Sequence, residues 1–96
     1  MTGPWAYPPE LIEALGAFGL APSAATEPLV VRDALNDLYR FELRRTRDRL
    51  LAGQLEKPEY LAEVVRLRKK YWPLTLQPHA WLEIIRRVPA PTESQS

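Results

Sequence analysis

The stretch of sequence that decides the fold is LVVRDALNDLYRFELRRTRDRLLA, residues 29–52. It contains neither glycine nor proline, most of its residues are good helix formers, and Gly53 directly after it is the first natural stop. Pro28 precedes it, and proline is well suited to the first turn of a helix, where its missing N–H is not needed. We therefore predict one long helix over about residues 28–53, a rod of roughly 36 Å at a rise of 1.5 Å per residue.

A second helix follows after a short connection. Pro58 and Glu59 suit the start of a helix, and the cations of RLRKK at 66–70 suit its C-terminal end, so we predict a helix over about residues 58–72. Because only a few residues separate the two helices, they must lie antiparallel as a helical hairpin.

Two shorter helices flank the hairpin in this prediction, over about residues 9–18 and 78–88. Each begins at a proline, and Gly19 after the first is typical of a helix C-cap. The predicted fold class is therefore all-α, a small helical bundle built around the hairpin. We expect residues 1–88 to form a single helical domain and residues 89–96 to be a flexible C-terminal tail.

One charged residue interrupts the apolar stripe of the long helix. At about 100° per residue, Glu42 projects near the centre of that stripe, where leucine or alanine is usual. If the hairpin turns near Leu55, the numbers of facing residues add up to about 110, which sets Glu42 opposite Arg68. A guanidinium there would form a two-pronged ion pair and remove the cost of an unpaired carboxylate, so we predict a structural ion pair, with Arg45 or Arg49 as substitute partners. We favour a role in fixing register over catalysis, although the pair would also suit a polar patch inside a dimer interface.

Basic residues share one face of the hairpin in this reading. The candidate basic face comprises Arg40, Arg44, Arg47, Lys69 and Lys70. The simpler interpretation is a solvated face whose acidic neighbours lie three and four residues away. The alternative is a surface that contacts the phosphates of a nucleic acid.

Large aromatic residues lie at the ends of the predicted segments. Trp72 and Trp81 are expected to close one end of the hairpin as core, whereas Trp5 and Tyr7 suit packing on their own domain and docking on another chain equally well. We retain all four as candidate interaction aromatics.

Composition excludes several classes of function. The sequence has no cysteine and one histidine, His79, so thiolate zinc sites and two-histidine metal sites are impossible. Neither a glycine-rich phosphate loop nor a serine placed for nucleophilic attack is present, and we expect no catalytic residues, no metal and no cofactor. No apolar run is long enough to span a bilayer, and the N-terminus lacks the layout of a signal peptide, so we expect a cytoplasmic protein.

The function predicted from these observations is non-catalytic. A chain of 96 residues buries only roughly 60 to 65% of its unfolded surface, which leaves a thin core that a second chain can complete. We therefore expect a protein that acts through protein–protein interaction with another protein or with itself, as a homodimer, and not an enzyme. The alternative is a small nucleic-acid-associated regulatory protein that uses the basic face.

Overall fold

A computed structural model describes residues 3–87 of the chain. Four α-helices carry the fold: α1 (Pro9–Gly16), α2 (Pro28–Leu51), α3 (Lys57–Lys70) and α4 (Pro78–Ile84). A 3₁₀ helix, Trp72–Thr75, joins α3 to α4, and two short strands, β1 (Trp5–Ala6) and β2 (Arg86–Arg87), pair at the ends of the described chain. The predicted all-α fold is confirmed.

Helix starts and ends follow the local sequence. Each of the four helices has a proline in its first turn. Gly53 ends α2 with φ +77°, and Gly19 has φ +78° after α1. In both places the following N–H bonds back to a carbonyl of the last turn, Gln54 to Arg49 at 2.8 Å and Leu20 to Leu15 at 3.1 Å, which satisfies carbonyls that the helix leaves free.

The predicted helices differ from the observed ones at their C-terminal ends. The third ends at Lys70 instead of residue 72, and the stretch after it contains the 3₁₀ helix. The fourth ends at Ile84, because the chain then becomes β2, which pairs antiparallel with β1 so that Trp5 lies opposite Arg87 and Ala6 opposite Arg86. The predicted tail, 89–96, and residue 88 lie outside the described residues.

The two long helices lie antiparallel. Near the turn, Arg49 of α2 and Glu63 of α3 line the same groove. Towards the other end of the pair, the rings of Tyr39 and Tyr71 are 5.1 Å apart between centroids. Residues further along α3 therefore meet earlier residues of α2, as in a helical hairpin.

The hydrophobic core occupies one end of this hairpin. Its buried residues come from α1, the first half of α2, the end of α3 and α4: Leu11, Leu15, Val31, Leu35, Leu67, Tyr71, Trp81 and Ile85. The rest of the hairpin, residues 43–66, is called the hairpin arm below. Here α2 and α3 pack on each other, and Thr46 is the one buried residue of the arm. Among residues 3–87, the arm therefore extends from the core as two layers of helix with no third.

Among residues 3–87, no helix combines the length and the apolar character that a bilayer-spanning segment requires.

Candidate functional site: the two grooves of the hairpin

Glu42 is paired, but not with the residue that the sequence predicted. Its carboxylate accepts hydrogen bonds from Lys70 Nζ at 3.2 Å and from the hydroxyl of Tyr71. Within the described residues, Arg68, Arg45 and Arg49 form no salt bridge with Glu42. The predicted Glu42–Arg68 ion pair is therefore wrong, and Lys70 takes the place of the arginine.

The rotation of α3 explains this correction. Leu67 of α3 and Tyr71, which directly follows the last residue of α3, both enter the core, at 1% and 2% exposed. Arg68 follows Leu67 by about 100° around the helix, whereas Lys70 lies about 60° away on the opposite side. The two cations consequently lie on opposite sides of the line where α2 and α3 meet, and Glu42 is on the side of Lys70.

Tyr71 ties this ion pair to the core. Its ring contacts Phe18, with centroids 4.3 Å apart, and Tyr39, and Lys70 Nζ lies 5.6 Å from its centroid. Burial and the hydrogen bond to Glu42 raise the pKa of Tyr71 above its ordinary value. Partial burial acts to raise the pKa of Glu42 as well, but the hydrogen bonds from Tyr71 and Lys70 outweigh it and lower that pKa. The cluster therefore holds a carboxylate ionised beside a protonated phenol and orients the two helices.

A polar groove opens on the same side of the hairpin as Glu42. It has a volume of about 200 Å³ and is lined by Glu42, Arg45, Thr46, Arg49, Glu63 and Arg66. Glu63 holds Arg66 through two hydrogen bonds of 2.6 and 3.1 Å, and Arg66 lowers the pKa of that carboxyl. Thr46 donates to the backbone carbonyl of Glu42 at 2.9 Å, so its buried hydroxyl is satisfied within α2. Much of the charge in this groove is thus already paired.

The opposite side of the hairpin carries a second groove, the basic groove, with a volume of about 280 Å³. Its lining residues are Tyr39, Leu43, Arg44, Arg47, Tyr60, Val64 and Arg68. No acidic side chain lines it, and none of its three arginines forms a salt bridge within residues 3–87. Apolar and aromatic walls with a guanidinium rim suit an apolar ligand that also carries negative charge.

The structure divides the predicted basic face. Arg44 and Arg47 line the basic groove together with Arg68, which the sequence placed in the ion pair instead. Lys70 lies on the other side with Glu42, and Arg40 and Lys69 are exposed without lining either groove. The helical spacing on α2 was sufficient to predict that Arg44 and Arg47 lie on one face. That Arg68 lies beside them depends on how α3 is rotated about its axis, which only the structure shows.

The four candidate aromatics have different surroundings. Trp81 is fully buried, and its indole N–H donates to the carbonyl of Pro73 at 2.8 Å, so it belongs to the core and offers no interaction surface. Trp5 and Tyr7 pack against the same core, and the Tyr7 hydroxyl donates to the carbonyl of Thr26 at 2.6 Å. Trp72 is 41% exposed, so the expectation that it belongs to the core is wrong, and it is the one of the four that presents substantial surface to a partner.

No group of three or more histidine, cysteine, aspartate or glutamate side chains is arranged to hold a metal ion in the described part of the chain. Comparison with protein-family models, with curated proteins and with solved structures gives no significant match.

Proposed function

We propose that the chain is a non-catalytic protein-binding module whose hairpin arm receives a helix of a partner protein. The observation that carries this proposal is the exposure of large apolar side chains on a two-layered arm. Leu61 is 55% exposed, Val65 is 48% exposed and Leu51 is 72% exposed. Two paired helices with apolar residues on their outer faces are usually completed by a third or fourth helix.

The basic groove indicates which side of the arm receives the partner. Val64 and Tyr60 form its wall on α3, and Leu61 and Val65 continue that wall further round the helix. A helix laid along the groove would cover these side chains, and full burial of a leucine or valine contributes about 1.5–3 kcal/mol. Since the arginine rim is positive, the matching partner is an amphipathic helix with apolar residues on one face and acidic residues beside them.

Site-specific photocrosslinking in cells tests this proposal. A photoreactive phenylalanine derivative replaces Leu61 in one variant and Glu83, an exposed residue of α4, in the control variant. We expect a discrete adduct with one partner protein from position 61 and none from position 83. Adding Val65→Glu to the first variant should abolish the adduct without unfolding the chain, because Val65 is already half exposed.

Three outcomes of this experiment have distinct meanings. The absence of any adduct at position 61, or the same adducts at positions 61 and 83, would refute the proposal. An adduct between two copies of the chain would make the protein its own partner through this surface.

We place the activity in the cytoplasm, and the lack of cysteine in the sequence supports that choice.

Binding of nucleic acid is the second candidate function, because one groove is surrounded by three arginines that form no salt bridge with any described residue. Tyr39 and Tyr60 also line that groove, so aromatic side chains for base stacking lie beside the cations, which the sequence alone did not reveal. Fluorescence anisotropy with single-stranded and double-stranded oligonucleotides measures this activity. Binding that weakens steeply as salt rises would support it, and no binding at low salt would exclude it.

A further inference from the structure

A regular stripe of exposed residues follows the whole length of α2 on its outer face. Its members alternate in spacing between three and four residues: Val30, Asp33, Asp37, Arg40, Arg44, Arg47 and Leu51. All seven are exposed, and Val30 and Leu51 at the two ends are 62% and 72% exposed. Residues at this spacing stay on one face of a helix, the face that contacts a second helix in a coiled coil. We call this set the α2 stripe.

The charges of the α2 stripe are segregated. Both acids lie in the N-terminal half and all three arginines lie in the C-terminal half, so like charges follow each other at helical spacing in the pairs Asp33–Asp37, Arg40–Arg44 and Arg44–Arg47. Like charges three or four residues apart destabilise a single helix. The helix dipole acts only within the first and last turns, so it does not account for Asp37 or Arg40. Within residues 3–87, none of these charged side chains forms a salt bridge.

The same order of charges becomes complementary when two copies of α2 meet antiparallel. With a two-fold axis between Arg40 and Phe41, Asp37 of one copy lies opposite Arg44 of the second copy. In the same register Asp33 meets Arg47, and Val30 meets Leu51. Each contact occurs twice, as a two-fold interface requires. A parallel arrangement would instead place like charges together.

We propose that the protein forms an antiparallel homodimer through the α2 stripe. This inference goes beyond the proposed function, because the partner is a second copy of the chain and the surface is the outer face of α2. The α3 side of the basic groove, at Leu61 and Val65, does not take part. Arg44, Arg47 and Leu51 contribute to both surfaces, so a bound second copy brings its own acidic residues beside the rim of the basic groove.

The expected dimer is weak and sensitive to salt. One pair of helices covers a small area compared with stable interfaces, and the charged residues at its centre remain accessible to ions. The two copies of Arg40 meet at the axis, which is unfavourable, and Asp37 of the opposite copy lies about one helical turn from each of them. Attraction between four opposite-charge pairs therefore provides the specificity of the contact.

Charge exchange between two variants tests the dimer directly. One variant carries Asp33→Arg and Asp37→Arg, and the other carries Arg44→Asp and Arg47→Asp. We expect each variant alone to be monomeric, with dimerisation weakened by about 100-fold or more, because like charges then face each other. An equimolar mixture should dimerise again, since every repulsive contact becomes attractive in the mixed pair.

Sedimentation equilibrium at low and high salt gives the masses, and circular dichroism shows that the variants are folded. The matched control carries Glu13→Arg and Glu83→Arg, which reverses two exposed acids outside the stripe and should leave the dimer unchanged. A monomeric parent chain at high concentration and low salt, a dimer that resists high salt, or a mixture that stays monomeric would each overturn the inference. Val65→Glu should not affect the dimer, so this result is independent of the proposed binding of a partner helix.

Discussion

Replacing Tyr71 by phenylalanine removes a single oxygen atom at the core end of the hairpin. Tyr71 is 2% exposed, and its hydroxyl donates to the carboxylate of Glu42. The phenyl ring of the variant keeps the contacts with Phe18 and Tyr39, so the change isolates one hydrogen bond from the packing around it.

The magnitude follows from the surroundings of that bond. A hydrogen bond to a charged group contributes about 1.5–3 kcal/mol to the free energy of unfolding. The Glu42 side chain is 29% exposed and keeps Lys70, so water replaces part of the lost bond. We therefore expect Tyr71→Phe to lower the free energy of unfolding by about 1–2 kcal/mol. For a chain of this length, that corresponds to a decrease in Tm of about 5–15 °C.

The effect should depend on pH. The folded-state pKa of Glu42 lies below its ordinary value of 4.5, so its contribution to stability is present above that value and is lost as the pH falls through the lower folded-state pKa. The hydrogen bond from Tyr71 is one of the causes of the lowered pKa. The difference in stability between the parent chain and Tyr71→Phe should therefore shrink at acidic pH.

Urea unfolding followed by tryptophan fluorescence measures these differences, because Trp81 is fully buried in the folded chain. Tyr60→Phe in α3 is the matched control, since the Tyr60 hydroxyl forms no hydrogen bond within the described residues, unlike the hydroxyls of Tyr7 and Tyr71. A loss below about 0.5 kcal/mol for Tyr71→Phe, or equal losses for the two variants, would refute the role assigned to Glu42 and Tyr71.

Gly53→Ala should lower the free energy of unfolding by about 1–2 kcal/mol, because φ is +77° there and a methyl group would meet no other atom. Gly16→Ala also enters open space but lacks a positive φ, so it should be neutral or stabilising, and equal effects in thermal melts would contradict this account. Burial, and to a smaller extent the negative charge of Glu27, raises the pKa of Tyr7 to about 12. Its contribution to stability is present below pH 10 and lost as pH rises through about 12, so Tyr7→Phe should make urea stability less dependent on pH in that range.

The sequence was sufficient to predict the order of the helices and the pairing of α2 with α3. The absence of glycine and proline in residues 29–52 and the positive φ of Gly53 are local properties, and local properties are what sequence patterns report. The register was also close, because Glu42 meets Lys70, two residues from the predicted Arg68. Rotation about the axis of α3 was not predictable, since Leu67 and Arg68 both fall within a broad mixed stripe and only the assembled core, which buries Leu67, distinguishes them.

Two other features were missed for different reasons. The pairing of β1 with β2 joins dipeptides from the two ends of the described chain, and two residues are too short to show the alternation typical of a strand. The guanidinium of Arg32 donates to the carbonyl of Leu76 at 3.3 and 3.0 Å, and such bonds between a side chain and distant backbone have no signature in the sequence. The basic groove depends on both helices, so only its α2 side was predictable.

The pairing of β1 with β2 has a consequence for the order in which the molecule assembles. Helices α2 and α3 are neighbours along the chain, so the hairpin forms by closing a short loop, whereas β1 has no partner strand until Arg86 and Arg87 have been synthesised and brought back to it. The strands therefore join last, and they are also the easiest part of the fold to open. The amide proton of Ala6 should exchange with solvent well before those of the core helices, while the hairpin stays intact. The N–H of Trp5 donates to the carbonyl of Ala24 at 3.0 Å, so its exchange does not report on the strands.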